Sequence, residues 1–296
     1  MIRLISIVVG LGFAFVVLLA FGVGAYTAAT EGLGDKTADK VFHEHPTELA
    51  LPSNGPFGHF TGTDASTQQL QRGFQVYTEV CAACHALKHV AFRDLAQLAY
   101  TEAEIKAIAA KVQVPGIDPA TGEAISRPAT ATDYLVGPYP NDIAAAAANG
   151  GKIPPDLSLI VKARHGGAAY VHSLLMGYRD LEGYKNHEGK LLTKEFPDFE
   201  TPTGTFFNPY FAALAIGMPP PLTTDDQVTY ADGTKATVNQ MSTDVSAFLV
   251  WAAEPTLGKR NQTGWAVVGF LIFATILAWF AKNQVWSAIK PKRAED

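Results

Sequence analysis

The chain has 296 residues, 48% of them hydrophobic and 17% charged, with a formal net charge of −5 at pH 7. This acidic balance carries no basic footprint for nucleic acid. The length, with two long apolar runs, fits one sizeable globular domain plus membrane segments better than two equal domains, so a single core has to be explained.

Arg3 is followed by no charged residue until Glu31, and Leu4 to Ala25 is almost wholly apolar. The run is longer than the ~7–15 residues of an ordinary signal-peptide core and reaches the ~20 that span a bilayer. Residues 1–29 are therefore expected to be a signal peptide or a retained N-terminal anchor, with Val23-Gly24-Ala25 and Thr27-Ala28-Ala29 as candidate cleavage sites. From Glu31 to Ala65 an aperiodic stretch with Pro46, Pro52, Gly55-Pro56 and Gly58 reads as an irregular lead-in. His43, His45 and His59 within it read as isolated surface histidines, because no carboxylate or cysteine cluster accompanies them.

Ser66 can cap a helix on which Leu70, Phe74 and Tyr77 share one buried face. That helix runs into Cys81-Ala82-Ala83-Cys84-His85, which holds the only two cysteines of the chain. Two cysteines three apart followed at once by histidine is the covalent attachment signature of a c-type haem. On a helical turn, positions i, i+3 and i+4 lie on one face, so two thioether sulfurs and an imidazole can meet one porphyrin. A redox dithiol would want a βαβ setting and a structural zinc site two further ligands, and neither is present in the sequence. Covalent haem attachment requires delivery across a membrane, in agreement with the apolar N-terminus, so residues 30–258 are expected to form an extracytoplasmic haem domain.

Thr101-x-x-Glu104 is a capping box opening a helix with Ile105, Ile108, Ala109 and Val112. Prolines and glycines from Pro115 to Pro140 predict a long surface loop. In Asn149-Gly150-Gly151-Lys152-Ile153-Pro154-Pro155-Asp156-Leu157-Ser158, paired glycines and prolines form a turn able to lie flat against a cofactor. Asp156 or Ser158 can cap a helical run from Leu159 to Arg164. Arg164 and Tyr170 could serve haem propionates by charge-assisted hydrogen bonds, although an exposed face is the ordinary place for an arginine.

An electron-carrying c-type haem commonly pairs its histidine with methionine. Met1 lies in the leader, Met176 in an apolar helical run and Met241 at the entry to another helix. Met218 sits between Gly217 and Pro219-Pro220-Pro221, a stiff extended setting suited to ligation, with a loop methionine plugging the core as the competing reading. Tyr230-Ala231-Asp232-Gly233-Thr234 signals a hairpin or turn, and Val245, Phe248, Leu249 and Ala252 form one stripe of a helix over Thr243 to Ala253 that would pack across the helix before Cys81. Pro255 ends it.

Thr263 to Ala281 carries no charge and has Trp265, Trp279 and Trp286 near its ends. Its helical length of about 28 Å matches a ~30 Å hydrocarbon core. Residues 259–296 thus read as a C-terminal transmembrane anchor with a cytoplasmic tail containing Lys282, Lys290, Lys292 and Arg293. Setting aside Arg3 (+1) and the +4 of residues 259–296 from the total of −5 leaves −10 on residues 4–258. Such a domain would attract a basic soluble partner.

Together these stretches resemble the cytochrome c1 family, whose members are haem subunits of quinol:cytochrome c oxidoreductase. The resemblance rests on Arg72-Gly73-Phe74-Gln75-Val76-Tyr77 before the haem signature, Pro154 to Ser158, Ala163-Arg164-His165-Gly166-Gly167, Asn208-Pro209-Tyr210-Phe211, Met218 to Leu222 and Asp244 to Pro255, in this order. It implies a mainly α, class I cytochrome c-like haem domain with insertions and long loops, plus a C-terminal transmembrane helix. It also implies one haem c attached through Cys81 and Cys84, His85 and Met218 as axial ligands, Arg164 and Tyr170 near the propionates, and Asn149 and Pro155 in the haem pocket. The partners implied are cytochrome b, a Rieske iron–sulfur protein, a cytochrome c acceptor and membrane lipid, within a dimeric complex of a bacterial inner membrane. The haem domain would be periplasmic and the C-terminus cytoplasmic. Some relatives carry an extra cysteine pair before the ligand methionine; this chain has none, so its insertion between Tyr178 and Phe206 must be held by packing. Another membrane-anchored c-type carrier, such as an oxidase subunit, and a haem gas sensor are the alternatives.

Overall fold

A computed structural model describes residues 2–30, 37–49, 64–287 and 289; Pro52, Gly55-Pro56, Gly58 and His59 lie outside them. Helix α1 (Ile2–Thr30) coincides with the N-terminal apolar run, α2 (Ala38–Phe42) is a short turn in the lead-in, and α3 (Asp64–Glu79) turns Leu70, Phe74 and Tyr77 inward. Because α3 starts at Asp64, Ser66 lies inside the helix and not at its cap.

After one tight turn at Cys81–Ala83 come strand β1 (Leu87–Ala91) and a 3-10 stretch that buries Phe92, Leu95 and Leu98. Helix α4 (Glu102–Ala110) opens on the expected capping box: Thr101 N donates to Glu104 Oε2 at 2.7 Å and Glu104 N to Thr101 Oγ1 at 3.3 Å. The expected loop from Pro115 to Pro140 is instead an antiparallel hairpin, β2 (Gln113–Ile117) with β3 (Ala124–Pro128), followed by β4 (Tyr134–Leu135), which pairs with β1. Its turn is closed by Gly122 N on Asp118 O at 2.8 Å, with Gly122 at φ +75°. Val114 is the one buried residue of these two strands, so the ladder leaves almost no alternation to read.

Helices α5 (Asp142–Ala148), α6 (Ile160–Ala163), α7 (Gly167–Met176) and α8 (Leu192–Glu195) are short, and a two-residue ladder joins β5 (Phe206–Phe207) to β6 (Ala215–Ile216). Tyr230 to Thr234 forms a turn, with Gly233 N on Tyr230 O at 3.3 Å. Helix α9 (Val238–Ala253) begins five residues earlier than expected because Thr237 Oγ1 caps it, accepting from Gln240 N at 3.1 Å. It buries Val245, Phe248, Leu249 and Ala252 together with Met241.

The main core lies where α3 and α9 cross. A Cβ on Gly73 would stand 2.6 Å from Phe248 Cβ, so only glycine permits this approach. The Phe74 and Tyr77 rings lie 5.6 and 5.9 Å from that of Phe248. Arg72 Nε meets the fully buried Asp244 at 2.8 Å and its Nη1 meets Asp232 at 2.7 Å. A second, smaller core gathers Phe42, Leu192, Phe207 and Leu214, with Tyr184 and Phe196 against it, and holds the 179–205 insertion to the lead-in by packing.

Helix α10 (Leu257–Ser287) and α1 stand outside both cores. Their apolar stretches, Arg3–Ala29 and Lys259–Ser287, bury none of their described side chains and are long enough to cross a membrane.

Candidate haem site

The end of α3 sets the site. Val80 N continues the helical bonding to Val76 O, then Cys84 N and His85 N both turn back onto Cys81 O, at 3.1 and 2.9 Å, which gathers Cys81, Cys84 and His85 on one local turn. Tyr77 donates its hydroxyl to His85 O at 3.1 Å, tying that turn to the core. His85 Nδ1 lies 2.7 Å from the Pro155 carbonyl. A carbonyl only accepts, so Nδ1 carries the proton and Nε2 keeps its lone pair for a metal. Burial lowers the His85 pKa, against the opposing pull of Pro155 O and Asp156, so the neutral ring is favoured.

Segment 155–158 is stitched to this turn along its length. Leu157 N donates to Ala86 O at 2.9 Å, Lys88 N to Asp156 Oδ2 at 2.8 Å, and His89 N to Ser158 Oγ at 3.1 Å. Asp156 or Ser158 is expected to cap α6, but both bond to β1 amides instead, and the α6 cap position, Leu159, has no side-chain bond. The helix is a single turn and offers little in return for a cap.

Both cysteines are free thiols. Burial pushes the Cys81 thiol up to about 12, the opposite of the depressed value of a redox dithiol. The Tyr139 hydroxyl lies 3.9 Å from Cys84 Sγ; sequence reasoning missed this residue, since an aromatic in a proline-rich loop carries no spacing signal.

Met218 follows β6. A Cβ on Gly217 would stand 2.8 Å from Lys152 Cγ, so the Lys152 stem lies flat on the Met218 segment. Lys152 and Pro155 are three residues apart, at most about 10 Å of extended chain, so one loop touches the His85 ring at one end and the Met218 segment at the other. Asn149 shapes that loop: its Nδ2 donates to Ala145 O at 2.7 Å, its carbonyl accepts from Lys152 N at 3.1 Å, and Gly150 and Gly151 follow at φ +59° and +81°.

Arg164 is exposed, with its Nη1 on Ala163 O at 3.3 Å, and lies near the half-buried Tyr170 phenol, whose pKa burial raises despite that arginine. Tyr178 comes next to Tyr170 and donates to Met218 O at 3.0 Å. Tyr178 thus ties the Met218 backbone to the neighbourhood of Tyr170 and Arg164. Met176 ends α7 and Met241 is fully buried in the main core. A cavity of about 590 Å³ lined by Phe74, Tyr77, Ala82, Tyr100, Leu135 and Gly137 lies beside α3 and includes none of His85, Pro155 and Met218.

The donor set fits haem c. Two free thiols and a neutral imidazole with Nε2 available share one turn, and a thioether on a proline-stiffened segment stands at the other end of the 152–155 loop.

A mainly helical domain with this attachment turn and an apolar helix near its C-terminus is a c-type haem domain. The model of the Cytochrome C1 family matches residues 51–289. The chain is 46% identical over 229 residues to cytochrome c1 of Rhodospirillum rubrum, covering 75% of this chain and 82% of that one. It is 40% identical over 269 residues to the mitochondrial cytochrome c1 heme protein of Saccharomyces cerevisiae (91% and 77%), and 41% identical over 269 residues to the mitochondrial cytochrome b-c1 complex catalytic subunit of Candida albicans (91% and 83%). The chain belongs to the Cytochrome C1 family.

Proposed function

We propose that this chain is the haem-bearing electron-transfer subunit of a membrane quinol:cytochrome c oxidoreductase, taking electrons from a Rieske iron–sulfur protein and passing them to a cytochrome c. The observation that carries this reading is the His85 ring, held through Nδ1 by Pro155 O at 2.7 Å on the same turn as Cys81 and Cys84, in a chain of this family. Haem c, when bound, supplies reversible one-electron chemistry.

Cys81 and Cys84 bind the cofactor covalently, and His85 and Met218 are its iron ligands. Pro155 orients the imidazole and keeps Nε2 unprotonated. Arg164 and Tyr170 bind the propionates, and Asn149 shapes the loop that connects the two ligand segments. No side chain of the site has to act as acid, base or nucleophile, because the protein's work is ligation, burial and docking.

Cytochrome b is the membrane neighbour, in keeping with the name of the Candida relative. The haem domain stands on the periplasmic side of a bacterial inner membrane, within a dimeric complex. α10 crosses the bilayer with its Lys282 end on the cytoplasmic side, in keeping with the basic character of the sequence that follows; Lys290, Lys292 and Arg293 lie outside the described residues. The acidic residues 4–258 steer a basic cytochrome c to the haem domain.

Purification of the native complex from membranes is expected to yield this chain with cytochrome b and a Rieske protein; its isolation without either would count against the assignment. Met218→Leu is expected to lower the haem midpoint sharply or open the sixth position, and an unchanged midpoint and spectrum would remove Met218 from the ligand role.

A further inference from the structure

Met218 is followed by three prolines, none of which has an amide hydrogen. A β-turn closing on the Met218 carbonyl would need the N–H of residue 221, which is Pro221, so the usual local donor is missing. The carbonyl is satisfied instead from 40 residues away in sequence, by the Tyr178 hydroxyl at 3.0 Å. At the far end of the segment, Gln227 Nε2 donates to Pro221 O at 2.8 Å, and Gln227 Oε1 accepts from Thr223 N at 3.0 Å. A stretch that cannot bond to itself is stapled at both ends by side chains.

Tyr178 stands on backbone that has little room to move. A Cβ on Gly177 would lie 2.5 Å from Tyr210 Cδ2 and 2.8 Å from Asn208 Oδ1. The fully buried Asn208 donates Nδ2 to Leu174 O at 2.8 Å, and Arg179 Nη1 donates to the carbonyls of Met176 and Tyr178 at 2.7 and 2.8 Å.

We propose that Tyr178 is the positioning residue for Met218, its hydroxyl fixing the Met218 peptide so that the sulfur stays on the iron, with Gln227 as a second, weaker staple at the far end of the proline run. The proposal rests on the reading of Met218 as a ligand. Tyr178 acts through Met218, and its loss should free the ligand without dissolving the core.

The test uses the native complex carrying Tyr178→Phe, Gln227→Ala or Met218→Leu, read by carbon monoxide uptake of the reduced form, by the far-red absorption of a methionine–ferric haem pair, and by the haem midpoint. For Tyr178→Phe the expected outcome is a rise of about 5- to 10-fold in the fraction open to carbon monoxide, the size expected for one lost hydrogen bond, with a weakened far-red band, a lower midpoint and unchanged thermal melting. Gln227→Ala should change the same readouts in the same direction by less. Tyr178→Phe with the parent's band, midpoint and inertness to carbon monoxide would overturn the proposal. If Met218→Leu also keeps the band, the ligand reading has failed with it; if Met218→Leu alone loses the band, only the positioning role has failed. Should Tyr178→Phe not assemble, the exposed Gln227 decides: increased carbon monoxide uptake supports the stapled segment, and no change overturns it.

Discussion

The two halves of the haem site are built by different means. The half that carries Cys81, Cys84 and His85 grows from the end of a 16-residue helix locked against a second one by Gly73, by the aromatic cluster on Phe248 and by Arg72 on the buried Asp244. The half that carries Met218 has two-residue strands, a small separate core and side-chain bonds to carbonyls. Helix packing gives the first half a stability shared with the whole domain. The second half leans on a smaller core, with Leu222 as its link into the main one, and is expected to loosen first.

The largest effect that would test this contrast is at Gly73. Gly73→Ala places a methyl 2.6 Å from Phe248 Cβ and against the α9 backbone, and is expected to abolish the cooperative thermal unfolding of the haem domain. A parent-like melt would mean that the crossing is not the keystone of the first half.

Phe207→Ala comes next. Phe207 is 5% exposed, in the small core, with the Tyr184 ring 4.9 Å away. Its truncation should cost about 3 kcal/mol, felt as local opening: faster proteolysis within residues 180–205 with little change in the melting of α3 and α9. A parallel fall in that melting would make the two regions one cooperative unit.

The smallest effect is at the edge of the first half. Arg127 holds Asp133 through two 2.7 Å bonds, and Thr130 adds its amide and hydroxyl. Arg127 and Thr130 keep the Asp133 carboxyl well below its ordinary value of 3.8. A carboxyl with a depressed folded pKa stabilises above the unfolded value, and the contribution is lost as pH falls through the folded one. Amide exchange of the β2–β3 hairpin should therefore quicken relative to α3 on acidification below about pH 4, and Asp133→Asn should abolish that dependence. Equal pH profiles in Asp133→Asn and the parent would assign the loosening to other groups.

Much of the first half was legible in the sequence. The Leu70, Phe74, Tyr77 face, the attachment signature, the Thr101–Glu104 box and the α9 stripe are all local spacings, and each is present as an element. The hairpin at 113–128 was misread as loop because Pro115, Gly116 and Gly122 look like breakers and its strands bury almost nothing. Ser66, Asp156 and Ser158 were given to caps on propensity, but the helix start at Asp64 and the unpaired amides of β1 compete for those roles. Tyr139, Tyr178 and Gln227 carried no signal, since nothing near them in sequence marks the groups they reach.

By itself the sequence determined which donors exist and which helices frame the core, because thiol, imidazole and thioether chemistry and the 3.6-residue period are properties of neighbouring residues. Only the tertiary structure decided what holds each donor in place: Pro155 O on His85 across 70 residues and Tyr178 on Met218 across 40. Hydrogen bonds closed over such distances depend on how the chain packs, and no local spacing encodes them.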